Sequence, residues 1–385
     1  MWLGATRTNS GHYLPCCQYD PGSYHRHSNH WKDDFTDNVK FYDADRKNMM
    51  EGGKPRGCGN CWHNESIGID SLRNENMAME WWKPYLGKID RNTRTDGSYH
   101  HDPVYIDLRL GNKCNLGCRM CSAEFSSVLA KEVEEHGDRF SYDQRHQDAL
   151  DRVNRYHADG NLDRVFEAVK KIDDVTRIQF TGGEPFLNKR IPELVDHFIV
   201  TGKAKHINIH FTTNLTKVPT GLLEKLEQFR YADVSVSMEG IGDIYEYIRY
   251  PAKWGKVSNN LKRLEQSEVA MGIAYTGTAL SIIGFADWLE WVKSNDFQWD
   301  YNPVLYPEYL RINNIPDQLK KELIQRLEPM RLEAKERQMV DGMIAMLNKP
   351  QKPDDWQMLI KDTITKDGIR SQSIHRSVPK LAAYF

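Results

Sequence analysis

The stretch Ile106–Cys121, IDLRLGNKCNLGCRMC, decides how this 385-residue chain is read. A strand delivers a short loop carrying Cys114, Cys118 and Cys121 in the spacing C-x3-C-x2-C. Three thiolates leave one iron of a four-iron cluster without a protein ligand. Clusters held by four cysteines usually carry electrons, whereas an open iron is a place where a small molecule can chelate. The three cysteines are therefore the candidate catalytic and metal-binding residues. On its own the pattern could also hold zinc, so the rest of the chain must supply the other parts of a site.

Downstream, Arg177–Asn188 reads RIQFTGGEPFLN, a buried strand from Ile178 to Thr181 that runs into Gly182, Gly183, Glu184 and Pro185. Two glycines at a strand end let the backbone approach a ligand closely, and the Glu184 carboxylate can accept hydrogen bonds from a ligand ammonium group. Two more strand-like runs follow at strand–helix spacing. His206–Lys217 contains Thr213 and Asn214, and Asp233–Gly240 alternates through Val234, Val236 and Met238, with Ser237 and Glu239 at its carboxyl end. Arg249 lies a few residues further on.

This set of motifs resembles the radical S-adenosylmethionine (SAM) enzymes. The resemblance implies that Cys114, Cys118 and Cys121 hold a [4Fe-4S] cluster whose open iron binds the amino and carboxylate groups of SAM. An electron from the cluster would then cleave the sulfonium to a 5′-deoxyadenosyl radical. It further implies that Gly182, Gly183 and Glu184 bind the SAM amino group. Thr213 and Asn214 match a strand end where Leu215 replaces the usual glycine. Ser237 and Glu239 fall where ribose hydroxyls bind, and Arg249 falls near the SAM carboxylate. Met120 takes a position beside adenine that is usually aromatic.

The remaining cysteines, Cys16, Cys17, Cys58 and Cys61, all lie in the first 61 residues. Their contexts are YLPCCQYDPG from Tyr13 and PRGCGNCWHNESIGIDSLR from Pro55. Cys58-x2-Cys61 could be half of a zinc knuckle. Taken with the Pro-Cys-Cys step and the E-x-x-G-x-x-S-x-R run ending at Arg73, the arrangement resembles the twitch or SPASM-like modules of radical SAM enzymes. That implies a second, auxiliary [4Fe-4S] cluster. Here the module precedes the SAM motifs instead of following them, and one expected cysteine is missing. Either Cys16 and Cys17 both ligate, or Cys16, Cys58 and Cys61 bind and a second open iron remains.

Composition sets bounds. Fifty-two basic and 54 acidic residues give a formal charge of −2, so no basic field recruits nucleic acid or an anionic membrane. Apolar residues make up 39%, enough for a sizeable core, and no apolar run approaches the roughly 18–20 residues that span a bilayer. Without a secretion-signal pattern at the N-terminus, the expectation is a cytoplasmic protein. Seven cysteines there point to metal or catalysis rather than to disulfides.

Alternating strands and helices predict an α/β protein with a parallel sheet. Six strands, the last two over Ala270–Ser281 and Trp299–Leu305, correspond to the partial (β/α)6 barrel the resemblance implies. The division is an auxiliary module over 1–102, a radical SAM barrel over 103–310 and a helical C-terminal extension over 311–385. Within that extension, Leu347–Trp356 reads as a Pro/Lys linker before a short amphipathic tail. A polar stretch, Glu132–Phe166, reads as a solvated helical excursion. The activity implied is hydrogen abstraction from a peptide or small-molecule substrate, with the auxiliary cluster assisting oxidation, epimerisation or cross-linking and a reductant such as flavodoxin or ferredoxin as partner. The alternative is a non-catalytic iron–sulfur or zinc protein that senses redox state or iron.

Overall fold

The computed structural model describes residues 2–9, 11–20, 40–66, 71–78, 82–137, 151, 161–304 and 306–385. The chain divides into two compact units. One comprises Met1–Asn112, Asp151–Phe211 and Gln228–Ala232; the other comprises Lys113–Leu150, Thr212–Glu227 and Asp233–Phe385. Most of the expected polar excursion lies outside the described residues.

In the first unit, strands β1 (Gly4–Arg7), β2 (Tyr13–Leu14), β3 (Tyr105–Arg109), β4 (Arg177–Thr181) and β5 (Asn208–Thr213) run in the order β2-β1-β3-β4-β5. All pairs are parallel except the β1–β2 hairpin. Each parallel strand has two unlike faces. Ile106, Leu108, Ile178, Phe180, Ile209 and Phe211 are fully buried, and the rings of Phe180 and Phe211 stack at 4.9 Å. The opposite face is polar: Tyr105 donates to Gln179 Oε1 at 2.7 Å and Thr181 to Asp107 Oδ1 at 3.1 Å. Strand alternation thus sorts the core from a functional lining.

The first strand corrects the expected division at residue 103. Gly4 to Arg7 pair in parallel with Tyr105 to Leu108, so β1 is part of the sheet and not of a separate module. Buried backbone groups need partners, and the open edge of β3 supplies them to Ala5, Thr6 and Arg7, all buried.

In the second unit, β6 (Tyr231–Ser237), β7 (Ala270–Gly277) and β8 (Gln298–Pro303) pair in parallel in that order. The six strands expected from Tyr105 onward therefore all form, in an α/β fold whose parallel sheet stays open, as a partial barrel does. The expected strand to Ser281 ends earlier, and the helix Phe285–Ser294 follows it. That helix shows its period: Phe285, Trp288, Leu289 and Val292 are all fully buried. Trp288 packs 4.5 Å from Tyr275 and 5.5 Å from Trp299.

The C-terminal extension is helical over Asp317–Leu327 and Ala334–Leu347, as expected. The expected linker is present but shorter, residues 348–352, and an 18-residue helix, Pro353–Arg370, takes the place of the short tail. Its proline sits in the first turn, where a missing N–H costs nothing. Among the described residues no helix is long and apolar enough to cross a membrane.

Candidate cysteine and cofactor site

The loop carrying Cys114, Cys118 and Cys121 is held from several sides within the second unit. Backbone bonds run from Gly117 N to Tyr250 O at 2.7 Å and from Arg119 N to Ile248 O at 2.9 Å. They bracket Arg249 against the middle cysteine. The Ser127 hydroxyl donates to Cys114 O at 2.8 Å, and Ser126 donates to Leu116 O at 2.6 Å while capping the helix Ser127–His136.

Two donors point at the thiol sulfurs. Arg249 Nη1 lies 3.8 Å from Cys118 Sγ, and Asn214 Nδ2 lies 3.8 Å from Cys114 Sγ. Burial pushes the Cys118 thiol up to about 12, with Arg249 opposing the rise and Cys114 adding to it. Cys121 is likewise raised by burial, then by Cys118 and Cys114, so the three sulfurs share one electrostatic neighbourhood. Metal binding must displace these protons, and a cation and an amide N–H beside the sulfurs favour the thiolates that result. The donor set fits an iron–sulfur cluster. Among the described residues, no three His, Cys, Asp or Glu side chains gather closely enough for a single metal ion. Thiolates on different irons of a cluster stand further apart than ligands of one ion.

Arg249 and Glu239 form a buried fork. Nη2 donates to Oε1 at 2.6 Å while Nε donates to Oε2, with Glu239 at 0% and Arg249 at 6% exposure. Burial works against the Arg249 charge, but Glu239 and then Cys118 outweigh it and hold its pKa above the usual range. Glu239, expected at a ribose, and Arg249, expected at a carboxylate, thus bond to each other through both carboxylate oxygens. Ser237, at the end of β6, is half-buried, as is Met120.

The Thr213–Asn214 strand end explains its missing glycine. Leu215 adopts φ 53°, the left-handed conformation glycine favours, and is fully buried. Its N–H donates to Thr213 Oγ1 at 3.0 Å, and Asn260 donates to its carbonyl at 2.9 Å. The Asn214 side chain also bonds Asn115 Oδ1 at 3.1 Å, tying this turn to the cysteine loop.

In the first unit, Gly182 has φ 111°, and a Cβ there would lie 3.0 Å from Leu110 N and 3.1 Å from Asn9 Oδ1. Only glycine allows that approach. Gly183 N donates to Gly111 O at 2.8 Å. Glu184 is 3% exposed, and its Oε1 accepts from Phe186 N at 3.0 Å, capping the short turn Pro185–Leu187.

Cys16 and Cys17 occupy the turn after β2. Cys58 ends the 3-10 turn Arg56–Cys58, and Cys61 lies in the helix Gly59–Ser66. Asp20 N donates to Gly57 O at 2.9 Å, joining the two segments. The E-x-x-G-x-x-S-x-R run forms a clasp: Arg73 donates to Glu65 at 2.9 and 2.6 Å, and Ser71 donates to Glu65 at 2.6 Å. Arg73 also lies 4.6 Å over the Trp62 ring. Gly68 of that run is outside the described residues.

Several residues were missed by the sequence reading. Arg119 is 2% exposed, stacks 3.7 Å over Tyr247, and pairs with Asp367. Arg370 donates to Glu132 at 2.9 and 2.7 Å. The helix Pro353–Arg370 therefore braces the cysteine loop from far along the chain. Asp107 was also missed, though a carboxylate between Ile106 and Leu108 was a legible signal.

A three-cysteine loop thus follows strand β3 of a parallel α/β fold. Residues 108–279 match the family described as the radical SAM superfamily. The chain thus carries a radical SAM domain over those residues. Among solved structures it is similar to native anSMEcpe with bound AdoMet and Cp18Cys peptide, with 15% identity, TM-score 0.39 and coverage of 58% of each chain. It is similar also to Streptococcus suis SuiB bound to precursor peptide SuiA, at 14% identity and TM-score 0.38, covering 76% of this chain and 60% of that one. TYW1 with a lysine-pyruvate adduct bound matches at 16% identity and TM-score 0.31, covering 56% of this chain and 70% of that one. The match thus spans less than two thirds of the anSMEcpe chain. No curated protein matches the sequence.

Proposed function

We propose that this protein cleaves SAM reductively and uses the resulting radical to take a hydrogen atom from a peptide or small-molecule substrate. Bound at Cys114, Cys118 and Cys121, a [4Fe-4S] cluster supplies the electron for that cleavage. The observation that carries the reading is the pair of donors, Arg249 and Asn214, each 3.8 Å from a loop sulfur. Arg249 and Asn214 steady the negative thiolates. Glu239 keeps Arg249 charged and aimed. Gly182 and Gly183 keep the β4 end open to close approach, and Glu184 offers a carboxylate there for an ammonium group. Thr213 fixes the Leu215 turn, and Ser237 and Met120 are half-exposed groups available to the nucleoside. Cys16, Cys17, Cys58 and Cys61 form the pool from which a second, auxiliary cluster draws its ligands, with a flavodoxin- or ferredoxin-type reductant as electron source and the cytoplasm as setting.

The test is anaerobic reconstitution, reduction with dithionite and quantification of 5′-deoxyadenosine. Wild type is expected to form it, and Cys114→Ala, Cys118→Ala and Cys121→Ala each to form none. Product persisting in any one of the three would overturn the reading.

A further inference from the structure

The polar face of the sheet in the first unit holds a buried carboxylate that the proposed mechanism leaves unused. Across four parallel strands the register aligns Thr6 of β1, Asp107 of β3, Gln179 of β4 and His210 of β5 in one row. Residues of one row share a face of the sheet, and this row lies opposite the apolar face of Ile106, Leu108, Ile178 and Phe180. The row is not sealed. Gln179 and His210 are half-buried, as are Arg109 and Thr181 in the next row toward the carboxyl ends of the strands.

Asp107 leans toward those ends, because its Oδ1 accepts from Thr181 Oγ1 at 3.1 Å. Thr181 directly precedes Gly182, Gly183 and Glu184. The other oxygen stands apart: Asp107 is 1% exposed, yet Oδ2 has no hydrogen-bond partner among the described residues. Arg109 does not supply one. Its Nε is 3.7 Å away, beyond hydrogen-bond reach, and its Nη2 donates to the Cys17 carbonyl at 3.3 Å. Gln179 turns its oxygen to the Tyr105 hydroxyl at 2.7 Å. Arg177, a second cation of this face, lies 5.5 Å over the Tyr105 ring, one row nearer the amino ends. A buried carboxylate oxygen without a donor is costly, and an oxygen that can only accept is matched best by a positively charged N–H.

We propose that Asp107 determines substrate specificity: its Oδ2 accepts from a cationic nitrogen, ammonium or guanidinium, of the peptide or small molecule on which this protein acts, an assignment that rests on the function proposed above. A substrate carrying that cation completes the bonding of Oδ2. A neutral isostere leaves the oxygen desolvated and unbonded, and a site built around such a bond rejects the analogue that lacks it.

The experiment reads binding. Reconstituted protein with SAM is titrated calorimetrically with the blocked peptides acetyl-Gly-X-Gly-amide, where X is Lys, Arg, norleucine, Gln or Glu. The Lys or Arg peptide is expected to bind about tenfold tighter, or more, than the norleucine and Gln peptides. Asp107→Asn should level the series, and Asp107→Glu, which keeps the charge, should retain the preference for the cation. Should the asparagine variant not fold, Asp107→Ser takes its place. A level series in the wild type overturns the proposal, as does a cation preference that survives the loss of the carboxylate. Tightest binding of the Gln peptide would make the donor neutral, and tightest binding of the Glu peptide would make Arg109 the receptor; either overturns it. SAM cleavage by a wild type with a level series sinks the role of Asp107 alone, whereas a cation preference without SAM cleavage upholds the binding site and sinks the radical reading.

Discussion

The two cysteine regions are anchored by different means. The 114–121 loop is fastened by buried charge: Arg119 to Asp367, Arg249 to Glu239, and Arg370 to Glu132 behind it. The 16–20 and 56–61 segments are fastened by backbone bonds, a tyrosine ring and a half-exposed clasp between Glu65 and Arg73. Buried ion pairs are costly to break one partner at a time, while a surface pair contributes little. The difference teaches that the 114–121 loop is built for one rigid geometry, and the N-terminal cysteine region is assembled from softer contacts.

The sharpest way to break this contrast is at Arg370. Arg370→Leu leaves Glu132 buried without its cation and is expected to cost about 3–5 kcal/mol. The urea midpoint should fall strongly, and iron at the 114–121 loop should fall with it. An unchanged midpoint would show that the brace is incidental.

At Leu215 two effects compete. Glycine would relieve a left-handed backbone worth about 1–2 kcal/mol, yet deleting a buried leucine costs about 2–5 kcal/mol. Leu215→Gly is therefore expected to destabilise by about 1–3 kcal/mol, read by chemical denaturation. A gain in stability would mean that strain outweighs packing at this turn.

The smallest effect belongs to the softer region. Tyr19→Phe removes the hydrogen bond to Asp45 but keeps the ring over Gly57, and should cost about 0.5–1.5 kcal/mol. SAM cleavage without substrate should be unaffected. A loss as large as that of Arg370→Leu would erase the distinction between the two regions.

What the sequence disclosed and what it withheld follow from range. The C-x3-C-x2-C loop, the glycines at 182 and 183 and the strand runs are local patterns, and local patterns carry their own geometry: Gly182 needs its positive φ, and Phe211 and Phe180 alternate with polar neighbours. The pairing of β1 with β3 joins residues about a hundred positions apart, and nothing in Gly4–Arg7 by itself names its neighbour. The pairing of Arg249 with Glu239 was not legible either, because two opposite charges ten residues apart do not announce that they bond. Arg119 and Arg370 are buried, which their neighbours along the chain do not disclose.

The brace from Pro353–Arg370 also orders events in time. A chain emerging from the ribosome presents Cys114, Cys118 and Cys121 some 250 residues before the Asp367 and Arg370 that fasten their surroundings. Contacts of such long sequence separation form late, so until residue 370 has been made the loop lacks its outer supports and its thiols are bare. A metal group held by these cysteines would therefore be taken up by the finished polypeptide, into a pocket already formed.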